Sequence, residues 1–208
     1  MSFVAHDADR ASPRRMTLEE WAALPEDEPG ELVDGELVEE EMAGYVHEVV
    51  VVWLAHLLRS WALAHGARVA GSAGKFAVSA TRGRMPDLTV YLAGARRPPA
   101  EGPIRVPPSI AVEVVSSTPR DARRDRVEKL KEYAAFGVKW YWIVDPALQS
   151  FEILELGPEN EYIHKVTSTD GRIESVPGCA GLVIDIDALW AEVAEVRAEG
   201  EGESPEKS

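Results

Sequence analysis

The alternation of apolar and polar positions along the chain predicts a mixed α/β fold. Residues 110–115 are apolar except for one glutamate and lie between a Pro-Pro pair and a Ser-Ser-Thr-Pro sequence, which is typical of a strand buried on both faces. Leu88, Val90 and Leu92 alternate with other positions and predict a preceding strand over 87–92 with one apolar face. A long apolar run over about 45–65 predicts a core helix.

The remaining pattern adds short strands and two helices. The predicted helices lie near 17–24 and from about 187, a hairpin crosses Asp34-Gly35, and strands lie near 76–78, 140–144, 151–156, 162–166 and 173. Helices interleaved with paired strands give an α/β protein with a mixed β-sheet flanked by helices.

Glu113 is the one charged residue in the apolar strand 110–115. An ionised carboxylate buried there needs a cation beside it, or its pKa must rise until it is protonated. The simplest partner is a buried Arg or Lys. Asp87, which follows Pro86 at the start of the earlier strand, suggests a different partner, a metal ion held by two carboxylates. The loop 93–108 is rich in Gly, Pro and Arg and suits a hairpin-like return, so antiparallel pairing would place Asp87 beside Glu113.

A helix is predicted to follow the Glu113 strand. Thr118 can cap it, Pro119 suits its first position, and Gly137 marks its end near Phe136. Its N-terminal amides, together with nearby arginines, predict a phosphate-binding end. The arginines assigned to phosphate or nucleic acid are Arg84, Arg120, Arg123 and Arg124.

The apolar stripe of this helix comprises Val127, Leu130, Tyr133 and Ala134. This stripe places Lys129 and Lys131 on opposite flanks, and periodicity does not choose between them.

A set of motifs in this chain resembles a known family. The set comprises Pro86-Asp87, Glu113-Val114-Val115-Ser116, residues 125–130 with Tyr133, and residues 137–146, with further matches over 31–38 and at His47. It resembles the bacterial Uma-like family of restriction-endonuclease-like proteins, in the PD-(D/E)XK nuclease superfamily, from about residue 16 to 189. The resemblance implies a restriction-endonuclease-like mixed β-sheet and a metal-dependent endonuclease that hydrolyses phosphodiester bonds in DNA.

The resemblance also implies a set of site residues. Asp87 and Glu113 would bind the metal, and the carbonyl of Val114 would complete its shell. The superfamily lysine is missing from the strand, where Val115 stands, and is replaced by Lys129 on the next helix, which would orient or deprotonate water. Glu31 and His47 would be accessory residues. Oxygen ligands without a Cys or His cluster favour Mg²⁺ or Mn²⁺ over zinc.

Each of these residues also has a structural interpretation. Lys129 would be a solvated helix residue paired with Asp125 four positions earlier. His47 would be a helix cap or a surface group. Glu31, like Glu36, would only decorate the solvent-facing side of the Asp34-Gly35 hairpin.

Composition sets the remaining expectations. The 208 residues are 45% hydrophobic, which suits one core and a single domain over 16–197. The polar residues 1–15 and the Glu- and Gly-rich residues 198–208 are expected to be disordered. Cys179 is the only cysteine, so a cytoplasmic protein is expected. His56 and Arg59 interrupt the long helix and favour a core helix, so no membrane partner is expected.

The net charge of −14 argues against tight DNA binding, because an acidic field repels phosphate. The arginines around the predicted site would offset that field only locally. A second function therefore stays open: a non-catalytic scaffold or a regulatory, partner-binding protein on the same fold. Cutting both strands of DNA takes two active sites, so a homodimer is a further hypothesis.

Overall fold

The computed structural model describes residues 15–25, 28, 30–38, 44–116 and 123–202. In chain order the elements are α1 Leu18–Ala22, β1 Glu31–Val33, β2 Glu36–Val38, α2 Tyr45–His65, β3 Arg68–Ala70, β4 Phe76–Ala77, β5 Gly83–Arg84, β6 Leu88–Tyr91, β7 Ile110–Val114, a π-helical segment Arg124–Lys129, α3 Leu130–Phe136, β8 Trp140–Asp145, β9 Ser150–Leu156, β10 Tyr162–Ser168, β11 Arg172–Ile173, β12 Ile184–Asp185 and α4 Ile186–Gly202.

The largest sheet has six strands in the order β10-β9-β8-β7-β6-β3. Only β7 and β8 pair in parallel, because the π-helical segment and α3 form the crossover between them. The predicted mixed sheet with flanking helices is confirmed. The antiparallel pairing of β6 with β7 is also as predicted, with Leu88 opposite Val112 and Val90 opposite Ile110.

The two faces of this sheet differ in what covers them. One face packs Val112, Val114 and Trp142 into an apolar cluster with residues of α2 and α4. The other face packs Ala111 and Tyr141 against Tyr133 of α3. Because side chains alternate along a strand, Glu113 points to the α3 side.

A smaller sheet has four strands in the order β2-β1-β5-β4. Its first hairpin turns at Asp34 and Gly35, which both adopt positive φ angles, 51° and 85°, as a two-residue turn of this kind requires. The pairing of β1 with β5 aligns Leu32 with Gly83, so Glu31 and Arg84 lie on neighbouring strands. This sheet therefore brings charged residues from the first half of the chain toward α3.

Three expectations need correction or completion. Val127 was predicted to be buried, but it is 43% exposed, because residues 124–129 wind as a π-helix and not as the α-helix assumed in the periodicity. The predicted helix start at Pro119 lies outside the described residues. The last helix continues to Gly202, five residues beyond the predicted end of the domain at residue 197.

The long helix α2 has the length and composition of a membrane-crossing helix. One stripe of it, Val50, Leu54, Leu58 and Ala62, is nevertheless fully buried in the core beneath the large sheet. The helix also carries His47 in its first turn, toward the same end of the sheet as Glu113.

Candidate active site

Asp87 and Glu113 lie next to each other at the end of two neighbouring strands. Asp87 comes directly before β6, and the register that pairs Leu88 with Val112 continues to Asp87 and Glu113. The backbone N–H of Val114 donates a hydrogen bond to Asp87 Oδ2 over 2.7 Å, which holds the aspartate against β7. The structure therefore brings the two predicted carboxylates together, as antiparallel pairing required.

Both oxygens of Glu113 accept a hydrogen bond from the helix that follows. Lys129 Nζ donates to Oε2 over 3.0 Å, and the Tyr133 hydroxyl donates to Oε1 over 2.6 Å. Burial raises the pKa of Glu113 well above its ordinary value, although the Lys129 ammonium acts to lower it. Three neighbouring carboxylates raise this pKa further: Asp125, Asp87 and Glu31. The site thus holds more negative charge than Lys129 alone neutralises.

Lys129 lies inside the protein and contacts three carboxylates. Its Nζ atom is 3.0 Å from Glu113, 3.1 Å from Asp125 and 3.4 Å from Glu31. We call these four residues the Lys129 cluster. Burial acts to lower the pKa of Lys129, but the charges of its three partners hold that pKa well above its ordinary value. The pair with Asp125 exists, but it is buried and not solvated, and the alternative residue Lys131 is exposed.

Asp125 belongs to the site although it was not assigned there from the sequence. The π-helical segment buries Asp125 together with Arg124 and Lys129, and π-helical turns are often found at functional sites. Burial raises the pKa of Asp125, and the nearby Lys129 and Arg124 only partly oppose this. Its backbone carbonyl accepts a hydrogen bond from the Tyr141 hydroxyl, which ties the segment to β8.

Arg84 is not available to a phosphate, which corrects its predicted role. Its side chain has no exposed surface. Nη1 donates to Glu31 over 2.5 Å, and Nε and Nη2 donate to Glu132 over 2.6 Å and 3.0 Å. We call Arg84, Glu31 and Glu132 the Arg84 clamp. The clamp joins β1 and β5 to α3 and so holds Glu31 near Lys129.

Glu31 is fully buried, so the suggestion that it decorates the solvent-facing side of the hairpin was wrong; Glu36 is the exposed member of that pair. Besides Arg84 and Lys129, it accepts a hydrogen bond from the backbone N–H of Met85. Burial acts to raise the pKa of Glu31, but the charges of Lys129, Arg84 and Arg124 lower it overall. Glu31 is therefore a stable carboxylate at the edge of the site.

The other arginines predicted to contact phosphate have different surroundings. Arg124 is buried, with its Nε atom 3.9 Å from Glu31 Oε2, so its charge acts on carboxylates inside the protein. Arg123 is exposed and can reach a ligand in solvent. Arg120 lies outside the described residues, so its role stays a prediction.

His47 contacts Asp87 from the side of α2. Its Nε2 atom is 3.3 Å from Asp87 Oδ2. It is not the helix cap, because Gly44 occupies that position. Burial acts to lower the pKa of His47, but the hydrogen bond and the charge of Asp87 raise it overall. His47, to which the resemblance gives an accessory role, thus lies next to Asp87, one of the two predicted metal ligands.

Sequence reasoning missed Asp125 and Tyr133 as members of the site. Both stand four positions from Lys129, so the three share one side of the helix that faces Glu113. This spacing was present in the sequence, but it was interpreted as an apolar core position for Tyr133 and as a solvated ion pair with Lys129 for Asp125.

The donor set fits a magnesium ion held mainly by substrate and water. Among the described residues, no three His, Cys, Asp or Glu side chains form a ready-made metal cage. Mg²⁺ is usually bound by one or two carboxylates plus water and phosphate oxygens, whereas zinc prefers several His or Cys ligands. Asp87 and Glu113 supply such a pair, and a cation would offset what raises the pKa of Glu113, which is burial first and then the charges of three nearby carboxylates.

A mixed sheet with an acidic pair at the end of two neighbouring strands and a lysine beside it is typical of a restriction-endonuclease-like protein. The model of the Uma2 family, described as "Putative restriction endonuclease", matches residues 17–187. The chain belongs to this family, which confirms the resemblance found in its motifs.

A solved structure shows the same fold. A protein from Anabaena variabilis ATCC 29413, described as "a putative nuclease belonging to DUF820", matches with a TM-score of 0.65 and 17% identity, over 86% of this chain and 99% of that chain. The type IIG restriction endonuclease BpuSI matches more distantly, with a TM-score of 0.38 and 10% identity, over 83% of this chain and 19% of that chain. No curated protein matches the chain.

Proposed function

We propose that this protein is a metal-dependent endonuclease that hydrolyses phosphodiester bonds in DNA. The observation that carries the proposal is the meeting of Asp87, Glu113 and Lys129 at one end of the large sheet, with Lys129 Nζ 3.0 Å from Glu113. Family membership and fold support a nuclease of the restriction-endonuclease type. The metal, the substrate and the roles of the residues are our inference.

Asp87 and Glu113 would hold Mg²⁺, or Mn²⁺, with the carbonyl of Val114 as a further ligand. When bound, such an ion polarises the scissile phosphate and lowers the pKa of a bound water. Asp87 is already fixed by the Val114 N–H, and Glu113 by Lys129 and Tyr133. Preset ligands of this kind lose little conformational freedom when the ion binds.

Lys129 would act as a charged hydrogen-bond donor. Three carboxylates within 3.4 Å keep its amine protonated, so it can orient a water or a phosphate oxygen but cannot accept a proton from water. Of the two roles considered for it, orienting and deprotonating, the surroundings favour orienting. His47, 3.3 Å from Asp87, would help to hold that carboxylate.

Binding of DNA would be weak and dependent on salt. The chain has a net charge of −14, and Arg84 and Arg124 are buried beside carboxylates, so they add little attraction for phosphate. Exposed Arg123 and the bound ion would supply the local positive charge. We further propose a two-fold homodimer, because cutting both strands takes two sites; a monomeric mass by light scattering would contradict this part.

The test is the cleavage of supercoiled plasmid at low salt while Mg²⁺ or Mn²⁺ is titrated. Glu113→Gln should reduce the rate by at least about 100-fold, as expected for the loss of one preorganised charge at a reacting centre. Glu152→Gln is the matched control. Glu152 is a buried glutamate on the same face, two strands away, and pairs with Arg126. Its variant should cut like the wild type.

Two outcomes would contradict the proposal. Equal cleavage rates for Glu113→Gln and Glu152→Gln would show that Glu113 takes no part in the reaction. A wild-type protein that neither binds Mg²⁺ by calorimetry nor nicks plasmid would favour the non-catalytic, partner-binding alternative, for which the acidic surface is no handicap.

A further inference from the structure

Tyr133 makes a contact with Glu113 that the proposed roles of Asp87, Glu113 and Lys129 do not explain. Its hydroxyl donates to Glu113 Oε1 over 2.6 Å, while Lys129 Nζ donates to Glu113 Oε2 over 3.0 Å. Tyr133 stands four residues after Lys129, so two successive turns of one helix hold the two oxygens of the same carboxylate. The phenol is 1% exposed, so water does not compete for this bond.

The ring of Tyr133 is itself fixed by packing. It lies edge to face against Tyr141, with ring centroids 5.2 Å apart and planes at 73°, in the cluster that covers the α3 side of the sheet. Burial, and then the charge of Glu113, raise the pKa of Tyr133 well above its ordinary value. The neutral phenol is therefore favoured, and its hydroxyl donates to Glu113.

A glutamate carboxylate rotates easily about its last bond, because that torsion is broad and only roughly two-fold. Each carboxylate oxygen offers two lone-pair positions. Lys129 and Tyr133 occupy one position on each oxygen of Glu113, so the carboxylate plane is set and one position on each oxygen remains for another partner.

We propose that Tyr133 is a positioning residue that sets the rotation of the Glu113 carboxylate for metal binding. The inference rests on the proposed function, because it concerns the affinity of the same site for Mg²⁺ or Mn²⁺. The Tyr133 hydroxyl acts through Glu113 and needs no contact with substrate or ion. Partners of metal ligands typically change metal affinity by about 10–100-fold when they are removed.

The experiment compares two tyrosine variants by calorimetric titration with Mn²⁺. Tyr133→Phe keeps the ring and removes the bond to Glu113. Tyr91→Phe is the matched control: its buried hydroxyl donates to the backbone carbonyl of Val106 over 2.7 Å, in the same apolar cluster but without contact to Glu113. The two variants should lose similar amounts of stability, because each gives up one buried hydrogen bond.

Only Tyr133→Phe should weaken the binding of Mn²⁺, by at least about 10-fold. Its plasmid cleavage should need more metal for half-maximal rate and should recover at saturating metal, whereas a merely structural loss would lower the rate at every metal concentration. Equal Mn²⁺ affinity in the two variants would overturn the positioning role and leave the proposed function intact. Absence of Mn²⁺ binding in the wild type would instead overturn the proposed function, and the positioning role with it.

Discussion

The Arg84 clamp and the Lys129 cluster hold buried charge in different ways. In the clamp, one guanidinium uses three nitrogens to donate to Glu31 and Glu132. In the cluster, one ammonium faces Glu31, Glu113 and Asp125. A guanidinium presents a fixed fork that matches carboxylates, whereas an ammonium is a point charge shared among its neighbours. The clamp is therefore better compensated than the cluster.

Glu31 shows the difference most clearly, because it belongs to both groups. It contacts the same ammonium as Glu113 and Asp125, yet its pKa is lowered while theirs are raised. Burial acts to raise all three pKa values. The pKa of Glu31 is lowered by the charges of Lys129, Arg84 and Arg124, in that order, and by the direct hydrogen bond of Arg84. Glu31, whose charge is compensated by a guanidinium, therefore stabilises the fold. Glu113 and Asp125 are less well compensated and can accept a further cation.

The largest expected effect tests the clamp. Arg84→Met removes the guanidinium but keeps a long apolar side chain, so Glu31 and Glu132 lose three hydrogen bonds inside the protein, although Glu31 keeps Lys129 and Glu132 keeps Arg82. Breaking a buried ion pair in this way costs about 3–5 kcal/mol of unfolding free energy, measurable by urea denaturation followed by circular dichroism. A loss below about 1 kcal/mol would mean that the clamp is not structural.

The control for that prediction is Arg105→Met. Arg105 pairs with Glu19 at the surface, and both side chains are more than half exposed. Surface pairs contribute little to stability, so this variant should unfold at nearly the same urea concentration as the wild type.

The next effect tests the cluster. Lys129→Met should cost about 3 kcal/mol, the lower end of the range for a broken buried pair, because Glu31 keeps Arg84. Mg²⁺ should then raise the melting temperature more in Lys129→Met than in the wild type, since the ion supplies the missing positive charge. Arg84→Met should show no such extra gain. Equal metal effects in Lys129→Met and wild type would contradict the view that the cluster accepts a further cation.

The sequence contained enough information for the pairing of the site strands. Period-two alternation and a turn-rich loop were sufficient to place Asp87 beside Glu113, because register in a sheet follows from which face is apolar. The turn at Asp34-Gly35 was likewise readable, since its residues are those that a positive φ angle requires.

The sequence did not contain a local signal for the clamp or for the π-helical turn. Arg84 and Glu132 are 48 residues apart, and neither neighbourhood indicates which carboxylate an arginine will meet after folding. The burial predicted for Val127 was wrong for another reason. The prediction assumed 3.6 residues per turn, whereas residues 124–129 wind as a π-helix that turns the Val127 side chain outward. Tertiary contacts, and not local periodicity, decide both features.

The smallest effect compares one substitution at two glutamates. Glu31→Gln should destabilise the protein by about 2 kcal/mol, the range for hydrogen bonds to a charged group, because Arg84 and Lys129 each lose a charged partner in the interior while Arg84 keeps Glu132. Glu113→Gln should change stability by no more than about 1 kcal/mol, with a gain as the expected sign. The amide has the same size and lacks the charge that burial and three nearby carboxylates disfavour. Its one oxygen can accept from Tyr133 or from Lys129 but not from both, and Lys129 keeps Asp125 and Glu31.

Urea denaturation of the two variants in metal-free buffer at neutral pH measures this difference directly. If Glu113→Gln costs as much as Glu31→Gln, then Lys129 compensates Glu113 fully and the cluster is a second clamp with no capacity for an added cation. If Glu113→Gln is neutral or stabilising and also abolishes cleavage, the wild-type protein keeps an unfavourable charge at Glu113 where only function requires it, as active sites commonly do.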